Sequence, residues 1–267
     1  MIAVLGAGVM GETFIAGLLA TDLTKRDLVI SEKFAARAAE ISAKYGVAVV
    51  DAADAVSRSD IVLIVVKPND IPELLQRIAP SLRPGTIVVS LAAGVSIAAL
   101  STALGSQVIC MRAMPNTPAL VGAGMTVLSV DERTSDADRD RIMLLLSSVG
   151  EVACLPESSQ DAVTAISGSG PAYVFAFMEA MERAGVMMGL PNDIARTLVT
   201  QTVYGAATLA LESGTDPGEL RRRVTSPGGT TQAALSALTD GGFDALVQRA
   251  TQAARDRSRE LGSSTRG

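Results

Sequence analysis

The sequence predicts an α/β protein: a parallel sheet covered by helices on both faces, followed by a second domain made of helices alone. Three observations predict it. Up to about residue 155, short β-branched runs alternate with alanine-rich stretches of helical period, and those runs are continuously apolar, as strands buried on both faces are. From Asp161 onward the strand-like runs cease. A boundary between residues 158 and 159 divides the 267-residue chain, giving domains 1–158 and 159–267.

Ile2 to Leu5 is the first strand, and it runs straight into Gly6-Ala7-Gly8-Val9-Met10-Gly11, with a helical stretch beginning near Glu12. This is the GxGxxG fingerprint in the strand–turn–helix setting that gives it meaning. Gly6 permits a tight turn, Gly8 removes a Cβ that would strike a pyrophosphate, and Gly11 allows close packing under a helix N-terminus facing the phosphates. Further strands are expected at Leu28 to Ile30, Val47 to Val50, Ile61 to Val66, Thr86 to Leu91, Val108 to Met111, Met125 to Val130 and Val152 to Leu155. The last of them are free to depart from parallel order. Helices are expected at Glu32 to Tyr45, Ile71 to Ile78 and Ile97 to Ala103. In the second half the breaks fall at Gly168 to Pro171, Gly189 to Pro191, Gly214 to Pro217 and Ser226 to Gly229. Asn192 to Ser213 carries an apolar stretch, Val203 to Leu211, too uniform for a small helical domain to cover from within, which predicts a homodimer. The tail after Leu261 is polar and expected to fray.

Composition narrows the partners. With 48% apolar and only 3% aromatic residues the core is aliphatic, and a net charge of −5 advertises no basic face to nucleic acid. No stretch has the apolar length of a membrane span, and the chain enters a strand at once without the basic region and cleavage site of a secretory signal, so the expected compartment is the cytoplasm. Cys110 and Cys154 lack metal-like spacing and read as reduced core residues, so no metal is expected. The remaining partners are a small-molecule substrate and copies of the chain itself.

A residue census constrains the chemistry. There is no histidine, and the four lysines, Lys25, Lys33, Lys44 and Lys67, all precede residue 68. Reduction of a ketone to an alkoxide needs a proton donor that the helical half does not offer, whereas an imine arrives already protonated at nitrogen. That half instead holds Val-Thr-Ser-Pro-Gly-Gly-Thr-Thr at 224 to 231. Ser226, Gly228, Gly229, Thr230 and Thr231 there place hydroxyls and close backbone at a helix start, suited to a small carboxylate. Lys67 follows the run Ile61 to Val66 and precedes Pro68, at the strand end where doubly wound sheets bind ligands. Met114 to Pro118 is a second strand-end loop in which Asn116 offers an amide. Cofactor choice turns on Ser31, Glu32 and Lys33 after the second strand: a carboxylate suits the ribose of NAD, serine and cations the phosphate of NADP, and the balance falls slightly to NADP(H).

Six motifs in order, GAGVMG, VVKPND, LAAGVSI, RAMPNTPALVGAGMT, DAVTAISGSGPAYVF and LRRRVTSPGGTTQAAL, resemble pyrroline-5-carboxylate reductases over nearly the whole chain. The last two carry most of the specificity. The resemblance implies reduction of 1-pyrroline-5-carboxylate to L-proline by NAD(P)H, a Rossmann-type domain, and a helical dimerisation domain whose dimers assemble into decamers. It also implies that residues 226 and 228–231 hold the substrate carboxylate, with Thr231 facing the ring nitrogen. The pyrophosphate falls to Gly6 to Gly11, the cofactor cleft to Val66, Lys67, Pro68, Ala92, Ala93 and Asn116, and the nicotinamide to the neighbourhood of Ser167 to Gly170. Asn69 stands where glutamine is frequent, and Glu32 pulls toward NADH. The rival readings are a reductase of a related cyclic imine and a dinucleotide-sensing regulator without turnover. A β-hydroxyacid dehydrogenase is disfavoured, since 171–190 lacks the lysine it would use.

Overall fold

A computed structural model describes residues 1–264. They form two compact units, 1–169 with 254–264 returning to it, and 170–253.

The first unit is built on one eight-stranded sheet of order β3-β2-β1-β4-β5-β6-β7-β8. Its strands are β1 (Ile2–Leu5), β2 (Leu28–Ser31), β3 (Ala48–Val49), β4 (Ile61–Ile64), β5 (Ile87–Ser90), β6 (Ile109–Met114), β7 (Gly124–Ser129) and β8 (Gly150–Cys154). Strands β1 to β6 are parallel, while β7 runs antiparallel to β6 and parallel to β8. Helices α1 (Val9–Leu19), α2 (Ala35–Tyr45), α3 (Ala52–Ser57), α4 (Ile71–Ile78), α5 (Ile97–Leu104) and α6 (Asp136–Leu146) cover it, with a short α7 (Gln160–Val163) after β8. Alternate strand residues enter opposite cores: Ile2, Val4 and Ile30 join Phe14, Leu18 and Leu146 on one face, and Ala3, Leu5 and Val29 join Leu75, Ile78 and Leu100 on the other. Continuous apolar strands therefore mean two covered faces, as expected.

Several boundaries differ from the sequence reading. The helix expected from Glu32 starts at Ala35, because the Glu32 carboxylate accepts the Phe34 N–H (3.0 Å) and holds 32–34 out of helix. The first helix starts at Val9, not near Glu12. Cys154 is only half-buried, while Cys110 is in the core, where burial pushes its thiol pKa up and keeps it inert.

One polar cluster ties α1 to α2. Glu12 receives Lys44 Nζ (2.7 Å), the Arg37 guanidinium and the Tyr45 hydroxyl (2.9 Å), and these hydrogen bonds, led by Lys44 and Arg37, lower its pKa from 4.5 to about 2. A carboxylate depressed in the folded state stabilises above its unfolded pKa and loses that stability as pH falls through the folded value. Allowing for solvent screening, we expect Glu12→Gln to cost about 1–2 kcal/mol at pH 7. The Tm difference from wild type then shrinks between pH 4.5 and 2. A difference that stays constant across that range contradicts this account of the cluster.

The second unit contains α8 (Gly170–Met187), α9 (Asn192–Ser213), α10 (Pro217–Arg223), α11 (Thr230–Asp240) and the start of α12 (Phe243–Ser264). Gly214 ends α9 at φ +58, and the Asp216 carboxylate caps α10 through the Glu219 N–H, as Gly-x-Asp-Pro predicts. The break expected at Gly168 to Pro171 falls at Ser169, the one residue between the helices there. A π-helical turn over Thr164–Gly168 leads almost directly into α8, where Pro171 occupies the first turn and needs no hydrogen-bond acceptor. The polar tail expected to fray after Leu261 stays helical through Ser264, and 265–267 lie outside the described residues. Large apolar side chains stand exposed on α8 and α9, among them Phe175, Met187, Leu198, Tyr204 and Leu211.

Candidate active site

In the first unit, β1 and β4 are neighbours from which the strand order runs outward in opposite directions, the place where doubly wound sheets open a crevice at their carboxyl ends. The glycine turn lies there. Gly6 sits at φ +97, and a Cβ on it would meet Val66 Cγ1 at 2.9 Å. A Cβ on Gly11 would overlap the Gly6 carbonyl oxygen, so this glycine closes the turn itself. Around a Cβ on Gly8 there is nothing within 4 Å. Gly8 is also the N-cap of α1 and supplies no side-chain cap, which leaves the amides of Val9, Met10 and Gly11 without helical acceptors. A tight floor, an open cradle and unsatisfied N–H groups at a helix N-terminus fit a dinucleotide pyrophosphate.

Glu32 follows β2 with both carboxylate oxygens fixed: Oε2 accepts the Ala7 N–H (2.8 Å) and Oε1 that of Phe34. The cations nearby are engaged elsewhere. Lys33 Nζ lies 2.7 Å from Asp70 Oδ1, and Arg37 donates to the Ala7 carbonyl (2.8 Å) while pairing with Glu12 and Glu40. Lys67 stands exposed beyond β4 as the N-cap of a 3₁₀ turn that begins at Pro68. Ala92 is buried and Ala93 half-buried in the loop that follows β5.

Asn116 uses its amide within the protein. Its Nδ2 donates to the Ser167 carbonyl (3.1 Å) and its Oδ1 accepts the Met125 N–H (2.8 Å), so its amide joins the loop after β6 to the π-helical turn. Gly168 sits under Met114, whose Cε would be 2.7 Å from an added Cβ. Among the described residues, the second Nδ2 hydrogen of Asn116 has no recorded acceptor.

In the second unit, Val224 to Gly229 form the loop that leads into α11. Gly228 takes φ +71, and a Cβ on Gly229 would meet Ser226 Oγ at 2.5 Å, so each glycine has a steric reason. Their amides are spoken for: Gly228 N–H donates to Gln232 Oε1 (2.6 Å) and Gly229 N–H to the Ser226 carbonyl (3.0 Å). The donors left at this helix start are the amides of Thr230, Thr231 and Gln232, since the first intrahelical bond recorded there is Ala233 N–H to Gly229 O. The hydroxyls of Ser226, Thr230 and Thr231 stand beside them. Of the donors that the sequence reading offered to a carboxylate, the Gly228 and Gly229 amides are engaged within the loop.

A doubly wound sheet with this glycine turn, followed by a helical domain, defines a nicotinamide-dinucleotide oxidoreductase of the two-domain kind. Residues 157–261 match the family described as pyrroline-5-carboxylate reductase dimerisation, and residues 1–94 the family described as NADP oxidoreductase, coenzyme F420-dependent. The pyrroline-5-carboxylate reductase of Pseudomonas aeruginosa is 44% identical over 97% of this chain and 96% of its own, and that of Corynebacterium melassecola 40% over 98% of each. Among solved structures, a pyrroline-5-carboxylate reductase from Coxiella burnetii superposes with a TM-score of 0.93 at 34% identity, covering 97% of both chains. The Plasmodium falciparum pyrroline carboxylate reductase with NADP bound gives 0.85 at 29% identity, covering 98% of this chain and 97% of that one. The chain belongs to the pyrroline-5-carboxylate reductase family.

Proposed function

We propose that this chain reduces 1-pyrroline-5-carboxylate to L-proline, with the roles of its residues as follows. When bound, the reduced nicotinamide supplies the hydride. The α11 N-terminus binds the ring carboxylate through the Thr230, Thr231 and Gln232 amides and the hydroxyls of Ser226 and Thr230, where the helix dipole favours an anion. Thr231 turns its hydroxyl to the ring nitrogen, holding the protonated imine in place and, after hydride addition leaves a neutral amine, relaying a proton from solvent to that nitrogen. Gly6 to Gly11 cradle the pyrophosphate, and Val66 to Pro68, Ala92 and Ala93 line the cleft. The observation that carries this reading is an anion-binding helix start in a half of the chain with no lysine or histidine: it clamps an acid and leaves the nitrogen to bring its own charge.

For the choice of dinucleotide we infer the opposite of the slight lean toward NADP(H). Glu32 presents a fixed carboxylate just after β2, which would repel a 2′-phosphate, and Lys33 and Arg37 are already paired with acids. We therefore expect a preference for NADH. Glu32→Ser should shift the ratio of kcat/KM for NADH over NADPH by about tenfold toward NADPH, the loss of roughly 1.4 kcal/mol of discrimination. An unchanged ratio with pyrroline-5-carboxylate as substrate removes Glu32 from cofactor selection.

The exposed apolar residues of α8 and α9 support a homodimer. Sedimentation of a compact monomer at micromolar concentration would contradict it.

A further inference from the structure

Arg112 is an arginine in the middle of a parallel strand, between Met111 and Ala113, and its side chain is only 8% exposed. A charge in such a place needs a partner. Its guanidinium has one, Glu157, with Nη1 3.6 Å from Oε1. That same oxygen accepts the Ile97 N–H at 2.8 Å, across 60 residues of sequence. Ile97 is the first residue of α5, so Glu157 caps the helix from outside while Ser96 Oγ caps it locally through the Ala99 N–H (3.1 Å).

The backbone between β5 and α5 is thereby pinned at both ends. Its start is held by the Leu91 N–H on the Ile64 carbonyl (2.9 Å) and the Ala92 N–H on Ser90 Oγ (3.3 Å). Its end is held by Ser96 and Glu157. Between them lie Ala92, Ala93 and Gly94, the last at φ +78, a conformation that a residue with a side chain rarely adopts.

We infer that Glu157, held in place by Arg112, is a positioning residue that sets the Leu91–Ser96 loop at the height needed to receive the nicotinamide half of the cofactor; this rests on the reading of that loop as part of the cofactor cleft. Glu157 touches no cofactor atom in this scheme. It acts through the Ile97 amide, and Arg112 acts through Glu157.

The test compares binding of NADH with that of ADP-ribose, a fragment without nicotinamide, by calorimetry on the full chain. Glu157→Ala is expected to weaken NADH by about tenfold and ADP-ribose by less than about twofold. Glu157→Gln, whose amide oxygen still accepts the Ile97 N–H, is expected to restore NADH to within about threefold of wild type. Arg112→Met combined with Glu157→Ala should be no weaker than Glu157→Ala alone, because the two act in series. Ala93→Leu, which blocks the loop directly, reports on the underlying reading. If Ala93→Leu discriminates against NADH but Glu157→Ala does not, the positioning role is wrong and the cleft stands. If Glu157→Ala weakens both ligands alike, its role is general stability and the inference fails. If Ala93→Leu leaves NADH and ADP-ribose unchanged, the loop does not receive nicotinamide, and both readings fall.

Discussion

Thr231→Ala is expected to lower kcat by about 100-fold while the dissociation constant for NADH stays within about twofold, the split of a group that acts on substrate alone. Thr231 is in the first turn of α11, half-buried, on the unit that carries the anion-binding loop and not on the one that carries the glycine turn. In the proposed arrangement, removing its hydroxyl deletes a contact to the ring nitrogen and leaves the amides of the α11 start in place. Thr231→Val, which keeps the shape, should be as slow as Thr231→Ala, and Thr231→Ser should recover most of the rate. Stopped-flow traces with pyrroline-5-carboxylate in excess measure it. If nucleotide affinity collapses instead, Thr231 belongs to the cofactor site and the division of labour between the units is wrong.

Gly8→Ala and Gly11→Ala are expected to fail in opposite ways. Gly11 has no room, because a methyl there overlaps the Gly6 carbonyl, so the turn must open and we expect a destabilisation of about 4 kcal/mol or more with loss of soluble protein. Gly8 has open space within 4 Å, so its alanine variant should fold with an unchanged Tm. The proposed function assigns that space to the pyrophosphate, so filling it should weaken NADH by about 30-fold, roughly 2 kcal/mol. Thermal melts with and without NADH separate the two. A Gly8→Ala protein that still gains full thermal protection from NADH would place the pyrophosphate somewhere else.

These contrasts mark how far the sequence could be read. Ile2 to Leu5 and Ile61 to Ile64 announce themselves as buried parallel strands because β-branched runs have few other uses, and the glycine fingerprint is local by nature. Asp216-Pro217 and Gly214 signal their caps through residues in direct succession. What escaped was tertiary. The ladder Arg112–Glu157–Ile97 joins residues far apart in the chain, and its only local trace is one arginine inside the apolar strand Ile109–Met114. The occupation of the Gly228 and Gly229 amides depends on a Gln232 rotamer and a loop bend. The bonds of the Asn116 amide to Ser167 and Met125 were equally out of reach, because only the fold brings the π-helical turn there. Glu32 was visible as a carboxylate, but its immobilisation by Ala7 and Phe34, which decides its meaning, was not.

The most direct measurement of the central claim follows oxidation of NADH with three acceptors side by side: pyrroline-5-carboxylate, 1-pyrroline lacking the carboxylate, and a β-keto acid. Pyrroline-5-carboxylate should turn over, 1-pyrroline should lose about 100-fold in kcat/KM for want of its anchor at α11, and the keto acid should not react. Turnover of the keto acid alone, or equal rates for the two imines, would contradict an enzyme that clamps a carboxylate and relies on a nitrogen already protonated.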